Sequence, residues 1–336
     1  MLRIYFTAED IARTRLATAP DPLWELVLSV QMLRGQRGDL LFSGWRRQTA
    51  TALRQRNLTS RTLAEDMRLL MQLCPEIGYF PDFLNPADAM RGLDHGLEAV
   101  RRTPKGVLYR DMTFLAASKK RQGEPLSARA ADLARGDPAA LDILTRTMSD
   151  YYQLAISPHS RMIESAIGHD RNTRLLAFTE GGVEGLLRSM RPMLQWEAGQ
   201  LSVPQHRDQE IHLGGRGLTL IPSYFCVNQP MTMFDPDLPP VLIYPVPRSA
   251  ESFASLDGQR RTALASLIGH TRAAMLESIG DGGTTTDLAR RVGVSAASAS
   301  EHAAIMRAAH LISSRREGNR MVHELTGLGL SLLNGA

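Results

Sequence analysis

The sequence is poor in cysteine and in lysine, and it has no long apolar run. Cys74 and Cys226 are the only two cysteines in 336 residues, and they lie 152 positions apart. A disulfide framework needs more of them and a thiolate metal cluster needs closer spacing. Two reduced, buried thiols are expected instead. No stretch approaches the ~20 apolar residues that span a bilayer, and the segment Met1–Asp10 turns acidic too early for a signal peptide. A cytoplasmic protein without membrane contact is the expectation. Lysine occurs only at Lys105, Lys119 and Lys120, so arginine supplies 36 of the 39 basic residues. That usage reflects a GC-rich genome and is not read as chemistry.

What is present is ordinary for a globular chain: 43% apolar and 22% charged residues. A chain of this length buries a large core and suggests about two domains. The net charge of +4 is compatible with nucleic acid without demanding it.

From Met1 to about Gly199 the apolar spacing is helical, as in Leu23–Leu33 and Leu63–Leu73. Asp137-Pro138 starts a helix, with Asp as N-cap and Pro in the first turn. Further helices are expected around Leu141–Leu154, Met162–Ile167 and Val183–Trp196, with breaks at Pro20, Gly44, Pro81, Pro104 and Gly123. Near residue 209 the period changes. Gln209–Leu213 and Leu218–Ile221, joined by Gly214-Gly215-Arg216-Gly217, read as a hairpin. Val241–Tyr244 and Leu2–Phe6 read as strands that share one small sheet. A polar stretch from Arg248 to Ser255 marks a boundary. The expected fold is mainly α with small β elements (α+β): a helical N-terminal domain, residues 1–250, with a small sheet, and a C-terminal winged helix-turn-helix domain, residues 251–336.

The C-terminal reading rests on packing rules. Thr285–Ala304 has the residue sizes of a helix-turn-helix. Leu288, Val292 and Val294 are apolar, Ala289 and Ala299 are small, and Gly293 sits in the turn, where a positive φ favours glycine. Thr284 or Thr285 can cap the first helix and Ser295 the second. Two strands follow, Leu311–Arg316 and Arg320–Leu325, around Glu317-Gly318-Asn319, and Thr326 caps a last helix, Gly327–Leu333. A helix-turn-helix followed by a basic-tipped hairpin is a winged helix.

The segment Val294–His302 and the run Ile305–Arg320 resemble the ArsR/SmtB winged-helix repressors, over roughly residues 256–334. That family has a Ser-rich recognition helix ending in Ser-x-His, a Leu-x-x-Ala-Gly-Leu turn and an Arg-Arg-x-Gly-Arg wing. His310 stands where the family has Gly, and Met306 where it has Leu. Phe6–Arg15 and Pro22–Glu25 resemble the companion domain found with such winged helices in actinobacterial regulators. The resemblance implies a homodimer built from Leu256–Ile279 and Gly327–Leu333, with Leu264, Leu267, Ile268 and Leu276 on one side of the first helix. Two-fold symmetry then implies a roughly palindromic double-stranded DNA operator.

On this reading Ser295–Ala309 enters the major groove. Ala296, Ala297 and Ala299 permit close approach, while Ser298, Ser300 and Glu301 meet base edges or phosphates. Thr284, Thr285, Arg290 and Arg291 flank the duplex, and Arg307 follows on the recognition helix. Arg315, Arg316, Asn319 and Arg320 form the wing contacts, to phosphate or the minor groove. His302 belongs to the same surface by sequence, yet its register points inward. Metal-sensing family members carry Cys pairs on the first helix of the motif; Thr285–Arg291 has no Cys or His, so neither a metal site nor another cofactor is expected. His206, Asp208 and His212 read as a polar loop. Sensing then falls to residues 1–250 and a small organic molecule, with Trp24, Trp45 and Trp196 as candidate pocket lining or as ordinary core. The competing functions are a ligand-responsive repressor, a constitutive DNA-binding protein whose large domain dimerises or recruits a partner, and an enzyme fused to a DNA-binding domain. The third is disfavoured, because no phosphate-binding glycine loop or nucleophile elbow is present in the sequence.

Overall fold

The computed structural model describes residues 1–34, 39–59, 61–76, 78–204, 206–227, 229–248, 264–279, 283–317 and 320–334. With 60% helix and 14% strand in small sheets, the fold is mainly α with small β elements. Two units divide the chain, Met1–Ser249 and Ala250–Ala336.

In the first unit β1 (Leu2–Tyr5), α1 (Ala8–Arg13) and β2 (Arg15–Leu16) precede a largely helical middle. That middle comprises α2 (Pro22–Arg34), α3 (Asp39–Thr59), α4 (Arg61–Leu73), α5 (Leu93–Arg101), α6 (Lys105–Arg121), α7 (Ala128–Ala134), α8 (Pro138–Ala155) and α9 (Ser160–Arg188). The strands β3 (Gln195–Glu197), β4 (Gln200–Val203), β5 (Gln209–His212), β6 (Thr219–Ser223) and β7 (Val241–Pro245) close it.

Helix α2 is the axis of the core, buried continuously from Asp21 to Met32. It starts where Asp21 Oδ1 accepts from the amides of Leu23 and Trp24, both at 3.0 Å, so a buried carboxylate satisfies orphan donors of the first turn. Ser29 meets the hydroxyl of Tyr151 on α8 at 3.0 Å. Asp137 caps α8 through Ala139 N, in line with the Asp-Pro pair in the sequence. A buried triad, Asp170 with Arg174 and the Tyr244 hydroxyl, ties α9 to β7.

Several elements depart from the sequence expectation. Gly44 does not break a helix; α3 runs through it. The helix expected over Val183–Trp196 ends at Arg188, and Trp196 lies in β3, paired with β4. Helix α9 folds back at Gly181 and Gly182, where Gly182 takes φ 60° and ψ −154°. Arg174 thereby reaches Ser189 O at 2.5 Å. Such backbone angles are accessible essentially to glycine alone.

The expected hairpin over 209–221 does not form. Strand β5 joins β1 in parallel, in a sheet ordered β3-β4-β1-β5, while β6 joins β2 and β7 in a separate parallel sheet. Nor does β1 share a sheet with the strand at 241. The physical reason is burial. Leu220–Ser223 is buried on both faces, the habit of a parallel strand, whereas β5 is a half-exposed edge. The glycine-rich link crosses between sheets. There Gly217, at φ 74°, presses so close to Arg13 that a Cβ would lie 2.6 Å from its carbonyl oxygen, and its amide donates to the buried Asp10 Oδ1 at 2.9 Å.

Candidate nucleic-acid interface

The second unit is built from local rules. A helical segment at 264–268 precedes α10 (His270–Ile279); then come β8 (Gly283–Thr284), α11 (Thr285–Val292), α12 (Ala296–Ala308), β9 (Ile312–Glu317), β10 (Arg320–Leu325) and α13 (Gly327–Asn334). Thr284 caps α11 by accepting from Asp287 N, and Ser295 caps α12 by accepting from Ser298 N, each at 3.2 Å. Gly293 adopts the left-handed conformation, φ 74° and ψ 32°, and lets Val294 N close on Ala289 O. Leu288, Ala289, Ala299, Ala303 and Met306 are buried with Met275, Leu276 and Ile279 of α10 in one core. The small residues at 289 and 299 are what allow α11 and α12 to meet. Strands β8, β10 and β9 form the antiparallel wing sheet, and Thr326 accepts from Gly329 N at the start of α13.

The expected continuous helix Leu256–Ile279 is not what the described part shows. Residues 251–263 lie outside the described residues, and Gly269 at φ 88° separates 264–268 from α10. The expected single stripe splits as a result: Leu276 is fully buried, Ile268 packs on the core, and Leu267 is 74% exposed.

On α12, Ser295, Ala296, Ala297, Ser300 and Glu301 are exposed, and Ser298 is half-buried. Arg307 is exposed in the last turn. His302 is half-buried with Nδ1 enclosed and without a hydrogen-bond partner, so it faces the interior side of the helix rather than the open surface. The cations are less free than the sequence implies. Arg290 pairs with Asp287 at 2.9 Å, and Arg291 donates to Ser278 O at 2.8 Å. Arg315 lies between Glu317 at 3.0 Å and Glu324 at 3.3 Å. Counted over Asp287–Glu324, six arginines face Asp287, Glu301, Glu317 and Glu324, leaving +2. Arg316 is exposed, directly opposite Met321 on β10. Arg320 opens β10, and Asn319 lies outside the described residues.

Sequence reasoning misses one residue. His323, 3% exposed, bridges Thr285 Oγ1 through Nε2 and Ser314 Oγ through Nδ1, both at 2.8 Å. A neutral imidazole offers one donor and one acceptor, which fits these two hydroxyls. Burial, and then the nearby Arg307 charge, hold its pKa below the ordinary histidine value. The clamp fixes the wing to the first residue of α11, so Thr285 is part of the scaffold. The sequence does carry a signal: Met321, His323 and Leu325 alternate on one face of β10.

The three tryptophans do not converge. Trp24 packs edge-on against Phe80, Trp196 against Phe6, and Trp45 against Phe42 and Phe225, and each is buried. They are core residues, each packed against different aromatic partners. Both cysteines are free and buried, and no group of three or more metal-ligating side chains occurs among the described residues. His212 stacks on Tyr5, and Asp208 pairs with the Met1 amine. Among the described residues no helix is long and apolar enough to cross a membrane. Searches of family models, of curated proteins and of solved structures found no match to the chain.

Proposed function

We propose that the chain is a transcriptional regulator, acting as a repressor in the cytoplasm. It binds a roughly palindromic operator as a homodimer and answers to a small organic molecule through residues 1–250 rather than to a metal. The observation that carries this reading is the exposed, small and polar first half of α12 next to an arginine-bearing wing, both fixed on one core. Glu301 is the one acid on that outer helix surface among residues 295–308. Small side chains allow a helix to approach base edges, and the wing arginines suit phosphate or a narrow minor groove. Exposed Leu267 and Leu328, on the two segments assigned to dimerisation, support the homodimer. A constitutive DNA-binding protein is the second reading, favoured by the closed aromatic packing around each tryptophan.

Sequencing genomic fragments captured by the purified full chain tests the first claim. Recovery of one inverted-repeat motif is the expected result. Recovery of random fragments with no motif overturns the operator reading. A metabolite screen by melting temperature separates the two readings.

A further inference from the structure

The first unit ends in an unusual seat. The Arg248 guanidinium lies over two aromatic rings, its Cζ 5.7 Å from the Phe42 centroid and 5.8 Å from that of Tyr224. Phe225 stacks on Phe42 at 5.3 Å, and Trp45 closes on Phe225 at 4.8 Å. These rings are fully buried, and Trp45 is held by its own hydrogen bond to Ala155 O, so the walls are fixed in place. Behind them is Glu25, 1% exposed, whose carboxylate accepts from the amides of Tyr224 at 2.8 Å and Phe225 at 3.0 Å.

Glu25 takes its direct hydrogen bonds from backbone amides rather than from Arg248. Arg248 donates to Cys226 O, but its Nε is buried without a partner, and no carboxylate closes an ion pair with it among the described residues. Burial pushes Glu25 up to about 7, against the two amides, the Ser223 hydroxyl and the Arg248 charge that pull it down, so a cation seated beside it favours its charged form. Aromatic faces and a desolvated carboxylate together select a flat, delocalised cation over a strongly hydrated ammonium.

We propose that this seat is a binding site for a small molecule bearing a guanidinium or amidinium group, with Arg248 as its resident competitor in the free protein. The site names the chemical class of the effector and rests on the regulator reading only for its consequence at DNA.

The test uses the full chain with Arg248→Ala and, as a second variant that keeps a polar side chain without the charge, Arg248→Gln. Ethylguanidinium is titrated and read by melting temperature and tryptophan fluorescence. A saturable response is expected in both variants, with a midpoint at least about tenfold lower than in the unaltered chain, where Arg248 competes. Adding Glu25→Gln to Arg248→Ala raises that midpoint again. An unsaturable response, or equal midpoints with and without Arg248, overturns the proposal. So does failure of both variants to fold, because Arg248 is then structural. This readout needs no DNA, so a negative operator experiment leaves it intact, and a negative result here leaves the operator reading intact.

Discussion

The two units bury different chemistry. The interior of the first holds carboxylates, among them Asp21, Glu25, Asp82, Asp111 and Asp170, whereas among the described residues of the second the one buried polar side chain is His323. The first unit binds distant segments together with polar pins: Asp82 alone accepts from the amides of Phe234 and Asp235, more than 150 residues away. The second holds neighbouring segments together with alanine, leucine, isoleucine and methionine contacts. A unit assembled from distant pieces depends on specific buried partners, and a unit assembled locally depends on side-chain size.

Removing a charge from the first unit gives the largest expected effect. Asp170→Ala leaves the buried Arg174 charge without its carboxylate and costs about 3–5 kcal/mol. A denaturant melt followed by hydrogen exchange in peptides of residues 1–248 measures it; a cost below about 1 kcal/mol contradicts the pin description. In the second unit, Leu288→Ala opens a cavity between α10, α11 and α12 and costs about 2–5 kcal/mol. Exchange should accelerate only in the second unit. Equal acceleration in both would remove the contrast.

Acidification should move the units in opposite directions. Burial pushes Glu25 up to about 7 and Asp21 up to about 6, from ordinary values of 4.5 and 3.8. Their folded forms bind protons more tightly than the unfolded chain, so they contribute stability at low pH that is lost as pH rises through these values. His323 is lowered from 6.5, so its contribution is present above 6.5 and is lost as pH falls through the folded value. His206, lowered mainly by burial, opposes the carboxylates within the first unit. Between pH 7 and 5, exchange protection should rise in the first unit and fall in the second. His323→Gln should flatten the pH dependence of the second unit alone.

Smaller effects concern the wing. Replacing Arg315, Arg316 and Arg320 by Ala should reduce the salt dependence of operator binding by about 0.9 in logarithmic slope for each phosphate no longer neutralised. Arg315 is held by Glu317 and Glu324, so its share should be less than that of one full phosphate contact. An unchanged slope takes the wing out of the interface. His310 sits at φ 57°, where glycine is at ease, so His310→Gly should stabilise the second unit by about 1 kcal/mol.

The same contrast governs what the sequence discloses. Gly293, Ser295 and Thr326 announce their roles within four residues, and all three sit where local rules put them. The capping Asp137 of α8 is equally legible. The sheets of the first unit are not, because Arg15 pairs with Thr219 and Leu2 with both Val203 and Gln209, and no local pattern encodes those partners. The adjacent apolar pair Leu220-Ile221 does carry the mark of a strand buried on both faces, and alternation in Gln209–Leu213 obscures it. The Gly181-Gly182 pair marks the reversal of α9, a signal that the helical period around it hides. For the interface, helix and wing are visible in the residues, but the carboxylates holding Arg290 and Arg315 depend on strand register and helix phase.

Strand β1 occupies an interior place in its sheet, flanked by β4 and β5. Those neighbours are some 200 residues downstream, the last of them ending at His212. A ribosome adding about 5–20 residues per second takes about 10–40 s to supply them. Throughout that interval Leu2 and Ile4, destined for complete burial, have both hydrogen-bonding edges open while the intervening helices emerge. Nascent chains halted before residue 212 should therefore recruit chaperones through Leu2–Tyr5, and synthesis rate becomes a determinant of yield.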